Sequence, residues 1–114
     1  MRWPLTFYTD RFIPKGSAGF ETMGLIFIRP KYRDDYGLYR HELEHVKQTF
    51  RGLFFFDQFG YLLSKRYRLW SEVQAYHEQA KHYPDDRMPL FARFIADDYG
   101  LSITQEAALQ LLRR

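Results

Sequence analysis

The 114-residue chain is long enough for one domain with its own core and too short for two. With 46% hydrophobic and 27% charged residues it reads as globular rather than disordered, and its 11 Phe and 9 Tyr are expected to fill much of the core. The absence of cysteine excludes disulfides, thiolate metal sites and a cysteine nucleophile, and a net charge of +3 is too mild for a nucleic-acid footprint.

The opening stretch, MRWPLTFYTD, has no long apolar run and no small-residue cleavage site, so no signal peptide is expected. LTFYTDRFI alternates in part, PKGSAG supplies turn chemistry, and GLIFIR (Gly24 to Arg29) is a β-rich run that Pro30 closes. From Asp34 the pattern turns helical. DDYGLYRHELEHVKQTFRG carries acidic residues first, basic ones late and Gly52 at its end, as a helix dipole and C-cap prefer. Its apolar residues Tyr39, Leu43, Val46 and Phe50 recur at helical spacing and predict the core-facing stripe.

LFFFDQFGYLL reads as a short buried helix weakened by Gly60, too short to span a bilayer, so no membrane span is expected and the cytoplasm is the expected address. SKRYR reads as the solvated start of a longer helix, RYRLWSEVQAYHEQAKHY, that ends before Pro84. MPLFARFIADDYG predicts another, with Pro89 in its first turn and Gly100 past its end. Thr104 is the N-cap of a last helix carrying Ala107, Ala108, Leu109, Leu111 and Leu112. The fold class is α+β: a small N-terminal β-sheet followed by a mainly helical part, in a single domain over residues 1–114.

One motif carries chemistry. In LYRHELEHVKQ, His41 and His45 stand four apart, so on a helix both imidazoles can aim at one ion. Glu42 is turned about 100° from His41 and can reach a water on that ion without ligating it. Zinc lowers the pKa of such a water towards about 7, which leaves a nearby carboxylate able to take its proton. His41, Glu42 and His45 also avoid the predicted core stripe and share a face that can line a cleft. A third ligand is available in Glu72, within LWSEVQAYHEQ on a separate helix, which the intervening helix allows to pack back across the histidines. Two His, one Glu and a water make the open tetrahedral site of catalytic zinc. The near-copy YHEQAKH has one residue too many: five residues turn about 500° and leave His77 and His82 about 140° apart, so it reads as surface.

RHELEHV followed by SEVQAY resembles the gluzincin metallopeptidases, most closely the small single-domain minigluzincins and short H-E-L-x-H-V-x-Q proteins of phage and prophage type. The resemblance covers roughly Gly24 to Tyr83. It implies a minimal zincin-like fold with an active-site helix and a glutamate helix, and zinc held by His41, His45 and Glu72 with Glu42 as general base. It also implies a peptide or protein substrate that pairs with a cleft-rim strand, for which GLIFIR lies in the expected place. Tyr76 falls where a residue commonly orients a ligand histidine through its hydroxyl, with burial in the core as the other reading. His77, His82 and Tyr83 are the candidates for stabilising an oxyanion. Glu44 and Lys47 depart from the uncharged pattern of the extended motif, both expected on the outer face.

The expected function is therefore a zinc-dependent hydrolase, a minimal metallopeptidase. The alternative is a non-catalytic, zinc-stabilised phage-type structural or interaction protein. Glu106, in the C-terminal stretch, is a further carboxylate that could reach the open coordination position.

Overall fold

The computed structural model describes residues 5–51 and 55–114, and side chains at these positions except 55–58. Three short strands, β1 (Thr6–Tyr8), β2 (Gly19–Thr22) and β3 (Leu25–Ile28), precede five helices: α1 (Tyr36–Arg51), α2 (Phe55–Leu63), α3 (Lys65–Ala80), α4 (Met88–Asp98) and α5 (Gln105–Leu112). A 3-10 turn at Pro30–Tyr32 joins the two parts. The α+β expectation holds.

The sheet order is β1-β3-β2, with β1 parallel and β2 antiparallel to β3. GLIFIR is thus the central strand, not a rim: hydrogen bonds occupy both of its edges, and among the described strands the outer edge beside the helices belongs to β2. The sequence concealed β2 because its four residues, GFET, follow directly on turn-forming PKGSA. Met23 and Gly24 both take positive φ (53° and 84°), the requirement of a two-residue type I′ hairpin that reverses β2 into β3. Ile26 and Ile28 alternate inwards and pack with Leu38 and Val46 of α1 into one apolar cluster.

Asp35 caps α1, its Oδ1 accepting from Leu38 N at 3.0 Å. The predicted core stripe of this helix is only half right. Val46 is buried and Tyr39 and Leu43 pack at the cluster's margin, but Phe50 is 39% exposed. The face that α1 buries most completely runs through Leu38, His41, Glu42, His45 and Thr49, because α3 and the sheet close over it from opposite sides. The two predicted outer charges divide: Lys47 is exposed, while Glu44 is half-buried and faces Lys47 and Arg51 at 3.8 and 3.9 Å.

Ser64 and Thr104 cap α3 and α5, accepting from Tyr67 N and Ala107 N. Pro89 sits in the first turn of α4, and Gly100, just past its end, takes φ +64°. Tyr76, Phe91, Ala92, Ile95, Leu101, Ala108 and Leu112 form a second apolar cluster among α3, α4 and α5. The predicted buried helix is corrected. Among the described residues of α2, Phe59, Leu62 and Leu63 are exposed, because α2 reaches its neighbours through its Gly60–Tyr61 side, where Tyr67 fills the space beside Gly60. Leu53 and Phe54 of that expected helix, and the expected C-cap Gly52, lie outside the described residues.

Gly37 fixes how the helices meet. A Cβ there would lie 2.6 Å from the Tyr83 ring, whose hydroxyl donates to Asp35 Oδ1 at 2.5 Å and accepts from Gln79 Nε2 at 2.8 Å. Gly37→Ala should therefore displace Tyr83 from the helix cap. Overpacking of this kind costs about 1–3 kcal/mol, against at most about 1 kcal/mol returned by alanine's helix propensity. Urea unfolding should read a net loss; unchanged stability would mean that Tyr83 moves aside freely.

Candidate metal centre

The motif helix α1 and the glutamate helix α3 are packed against each other along the seam between the two apolar clusters. This packing puts the chemistry-bearing residues together. His41, Glu42, His45 and Glu72 are 4%, 4%, 9% and 2% exposed, at the floor of a cleft of about 400 Å³. The Glu72 carboxylate faces both imidazoles: Oε1 is 3.4 Å from His41 Nε2 and Oε2 is 3.3 Å from His45 Nε2. Glu42 approaches from the motif helix itself, and one donor atom from each of His41, Glu42 and His45 lies within 4.8 Å of the other two.

These separations have a physical reading. Charge-assisted N–H···O bonds run at about 2.7–2.9 Å, so 3.3–3.4 Å is long for direct pairing. Ligands bound at about 2.0–2.1 Å to one tetrahedral ion stand about 3.3–3.4 Å apart. Two buried polar atoms here also lack a hydrogen-bond partner among the described residues: Glu72 Oε1 and His41 Nδ1. A buried carboxylate oxygen without a donor is costly, and a cation would satisfy it. With no thiolate in the chain, two imidazoles and a carboxylate suit zinc or a similar borderline divalent ion. The residues fit the group.

His45 is held in a defined tautomer. Gln48 Nε2 donates to the Ser71 carbonyl at 3.2 Å, which leaves Gln48 Oε1 facing His45 Nδ1 at 3.0 Å. An amide oxygen only accepts, so Nδ1 carries a proton and Nε2 is the nitrogen turned towards Glu72 and the cleft, protonated while it faces the carboxylate alone and available as a lone pair once a metal takes the proton's place. Ser71 Oγ adds to this support, lying 3.1 Å from His45 Nδ1 and donating to Gln48 Oε1 at 2.5 Å. Sequence reasoning did not assign Gln48 or Ser71. The signals were available: Gln48 is three residues after His45, on the same side of α1, and Ser71 adjoins Glu72.

Tyr61, within the run expected to be a buried helix, has a role that the sequence did not assign. Its hydroxyl donates to Glu72 Oε2 at 2.5 Å, and it lines the cleft with Tyr99. Tyr76 is placed beside the centre in a different way from the one expected. Its ring meets His41 edge to face at 4.3 Å, but its hydroxyl pairs with Tyr99 at 2.7 Å and not with a histidine nitrogen. The three expected oxyanion donors do not line the cleft. His77 is half-buried on α3, His82 packs on Tyr36 and faces Glu78, and Tyr83 is committed to Asp35 and Gln79. Glu106 is exposed in the first turn of α5, also away from the cleft lining.

Electrostatics follow from burial and proximity. Burial opposes a charge on His45, but Glu72 and then Glu42 outweigh it and raise the imidazole's pKa to about 10. Glu72, also opposed by burial, is held well below the usual carboxylate range by His45 and His41. Burial pushes Glu42 up, with His41 and His45 pulling the other way. Tyr61 is pushed far above the ordinary phenol value by burial and the Glu72 charge, so it stays a donor.

The rest of the cleft is built by two loops and β2. Gly19 lies against Glu42: a Cβ there would come within 2.9 Å of Glu42 Oε2. Arg29 holds the loop that supplies Pro14 and Ser17 to the cleft, donating to the backbone carbonyls of Ser17, Asp10, Ile13 and Pro14. Arg68 is likewise spent on structure, bonding the carbonyls of Tyr61, Leu62 and Tyr99. No family model matches this chain, and no curated protein or solved structure matches it.

Proposed function

We propose that the chain is a zinc-dependent hydrolase acting on peptide bonds, with His41, His45 and Glu72 holding the metal and Glu42 as general base. The observation that carries this reading is the Glu72 carboxylate at 3.3–3.4 Å from both imidazole Nε2 atoms, with a second carboxylate beside them in the same cleft. Bound there, zinc would polarise a scissile carbonyl and activate a water. Both carboxylates lie within reach of the two rings; we assign Glu72, which faces both of them, to the metal and Glu42 to proton movement.

Glu42 takes a proton from the attacking water and returns it to the leaving nitrogen, work suited to a carboxyl whose proton affinity burial has raised. Tyr61, whose single hydroxyl proton is given to Glu72 Oε2, orients the ligating carboxylate. The outer edge of β2, whose Gly19, Phe20 and Glu21 line the cleft, favours an extended peptide as substrate, because a sheet edge offers backbone hydrogen bonds without regard to side chain.

A second reading, zinc as a structural staple in an interaction protein, draws on the deep burial of all four residues. Incubating the zinc-loaded chain with unstructured peptides separates the two. Cleavage that stops on chelation and returns with zinc supports the hydrolase; a fully loaded chain that cuts nothing supports the staple.

A further inference from the structure

The end of α2 and the start of α3 form a corner that the fold leaves uncovered. Phe59, Leu62 and Leu63 stand at i, i+3 and i+4, so they share one helix face, and they are 59%, 67% and 82% exposed. Ser64 then starts α3, whose first two residues, Lys65 and Arg66, are exposed and make no ion pair with a described residue. One turn after Arg66 comes Trp70, also exposed, its ring against that of Tyr67 at 5.4 Å. Phe7 of β1 and Phe12 of the following loop are exposed as well, but both lie against Phe27, at 5.5 and 5.7 Å, and no basic pair adjoins them in sequence.

Three occupants can be compared for this corner. A second copy packed about a two-fold axis at this corner would need an acidic group opposite Lys65 and Arg66, and the exposed residues of the corner itself, Phe59, Leu62, Leu63 and Trp70, supply none. A folded polypeptide needs matching hollows for the projecting leucines and an acidic rim as well. A lipid headgroup layer deforms around projecting side chains and, where it is anionic, supplies the countercharge. Leucine and phenylalanine projecting between lysine, arginine and tryptophan is the side-chain set of interfacial membrane binding.

The geometry points to the α2–α3 corner as a docking surface for an anionic membrane face. Phe59, Leu62 and Leu63 enter the headgroup boundary, and Lys65 and Arg66 meet the lipid phosphates and carboxylates. The attachment is superficial, since no helix among the described residues is long and apolar enough to cross a bilayer. Leu62 also lines the cleft, so docking sets the cleft mouth beside the bilayer. This holds whether the metal centre is catalytic or structural.

The test is co-sedimentation of the full chain with phosphatidylcholine vesicles made with and without phosphatidylserine. Retention should require phosphatidylserine and fall steeply as salt rises. Leu63→Ser and the double variant Lys65→Glu/Arg66→Glu should each lower partitioning about tenfold or more. These positions are exposed, and circular dichroism of both variants checks that the fold is kept. No retention on either vesicle overturns the inference, as does equal retention on both or retention that neither variant changes. A concentration-dependent dimer dissolved by Leu63→Ser would assign the corner to a second copy, and that also overturns it.

Discussion

Glu72→Ala should lower zinc affinity by about 100-fold or more and also weaken the metal-free protein. The first effect follows from losing one of three ligands in an open site, which exceeds the 10–100-fold typical of losing a mere orienting partner. The second follows from His45. In the metal-free chain its imidazole is raised to about 10 mainly by the Glu72 charge, so the substitution leaves a buried imidazole that burial drives towards its neutral form. Breaking a buried pair costs up to about 3–5 kcal/mol, and less where the remaining partner sheds its charge. Competition with a chromogenic chelator reads the first effect, and urea unfolding of chelator-treated protein reads the second.

The pH dependence of that stability gap has a definite sign. The folded pKa of His45 lies above its ordinary 6.5, so its contribution is complete below about pH 6.5 and is lost as pH rises through about 10. The folded pKa of Glu72 lies below its ordinary 4.5, so its contribution is present above about pH 4.5 and is lost as pH falls further. The difference between wild type and Glu72→Ala should be widest between about pH 4.5 and 6.5, shrink as pH rises from there through about 10, and shrink as pH falls below about 4.5. Glu42, raised by burial, acts in the opposite sense to Glu72 but is present in both proteins, so most of its effect cancels. A gap indifferent to pH would mean that Glu72 and His45 are not paired in the metal-free chain.

Glu42→Gln should leave zinc binding within a few-fold of wild type while peptide hydrolysis falls by about 10²–10⁴-fold. The amide keeps the shape that Gly19 accommodates, so any loss reports proton transfer rather than packing. Were Glu42 a ligand in place of Glu72, the same substitution would weaken zinc as Glu72→Ala does. If zinc is only a staple, neither protein cuts and both retain the metal. The variant therefore separates three roles for one carboxylate.

Much of this centre could be read from spacing along helices. His41 and His45 share a face because they are four residues apart, and the return of α3 towards α1 was foreseeable from a helix lying between them. The helix ends were legible too, since Ser64, Thr104, Pro89 and Gly100 act locally. Local pattern misled where burial is decided by neighbours distant in the chain. Phe50 fits an apolar stripe on α1, yet α3 and β2 cover the opposite side and bury His41, Glu42 and His45 instead.

β2 escaped notice because a four-residue strand has too few alternations to stand out from the turn before it. That error moved the outer sheet edge from β2 to β3. Tyr61 shows the same limit: nothing in GYLL distinguishes a tyrosine that donates to a carboxylate on the next helix from one that fills a core. Tyr76 was expected either to orient a ligand histidine through its hydroxyl or to be buried; it is buried beside His41, and its hydroxyl pairs with Tyr99, just past the end of α4.

The most direct test of the centre is the zinc content of the purified chain by elemental analysis, with Glu72→Ala prepared beside it. The account predicts one zinc per chain, weakened or lost in the variant. A native chain that takes up no zinc after loading near neutral pH would contradict it, and the four buried residues would then be a polar seam between α1 and α3.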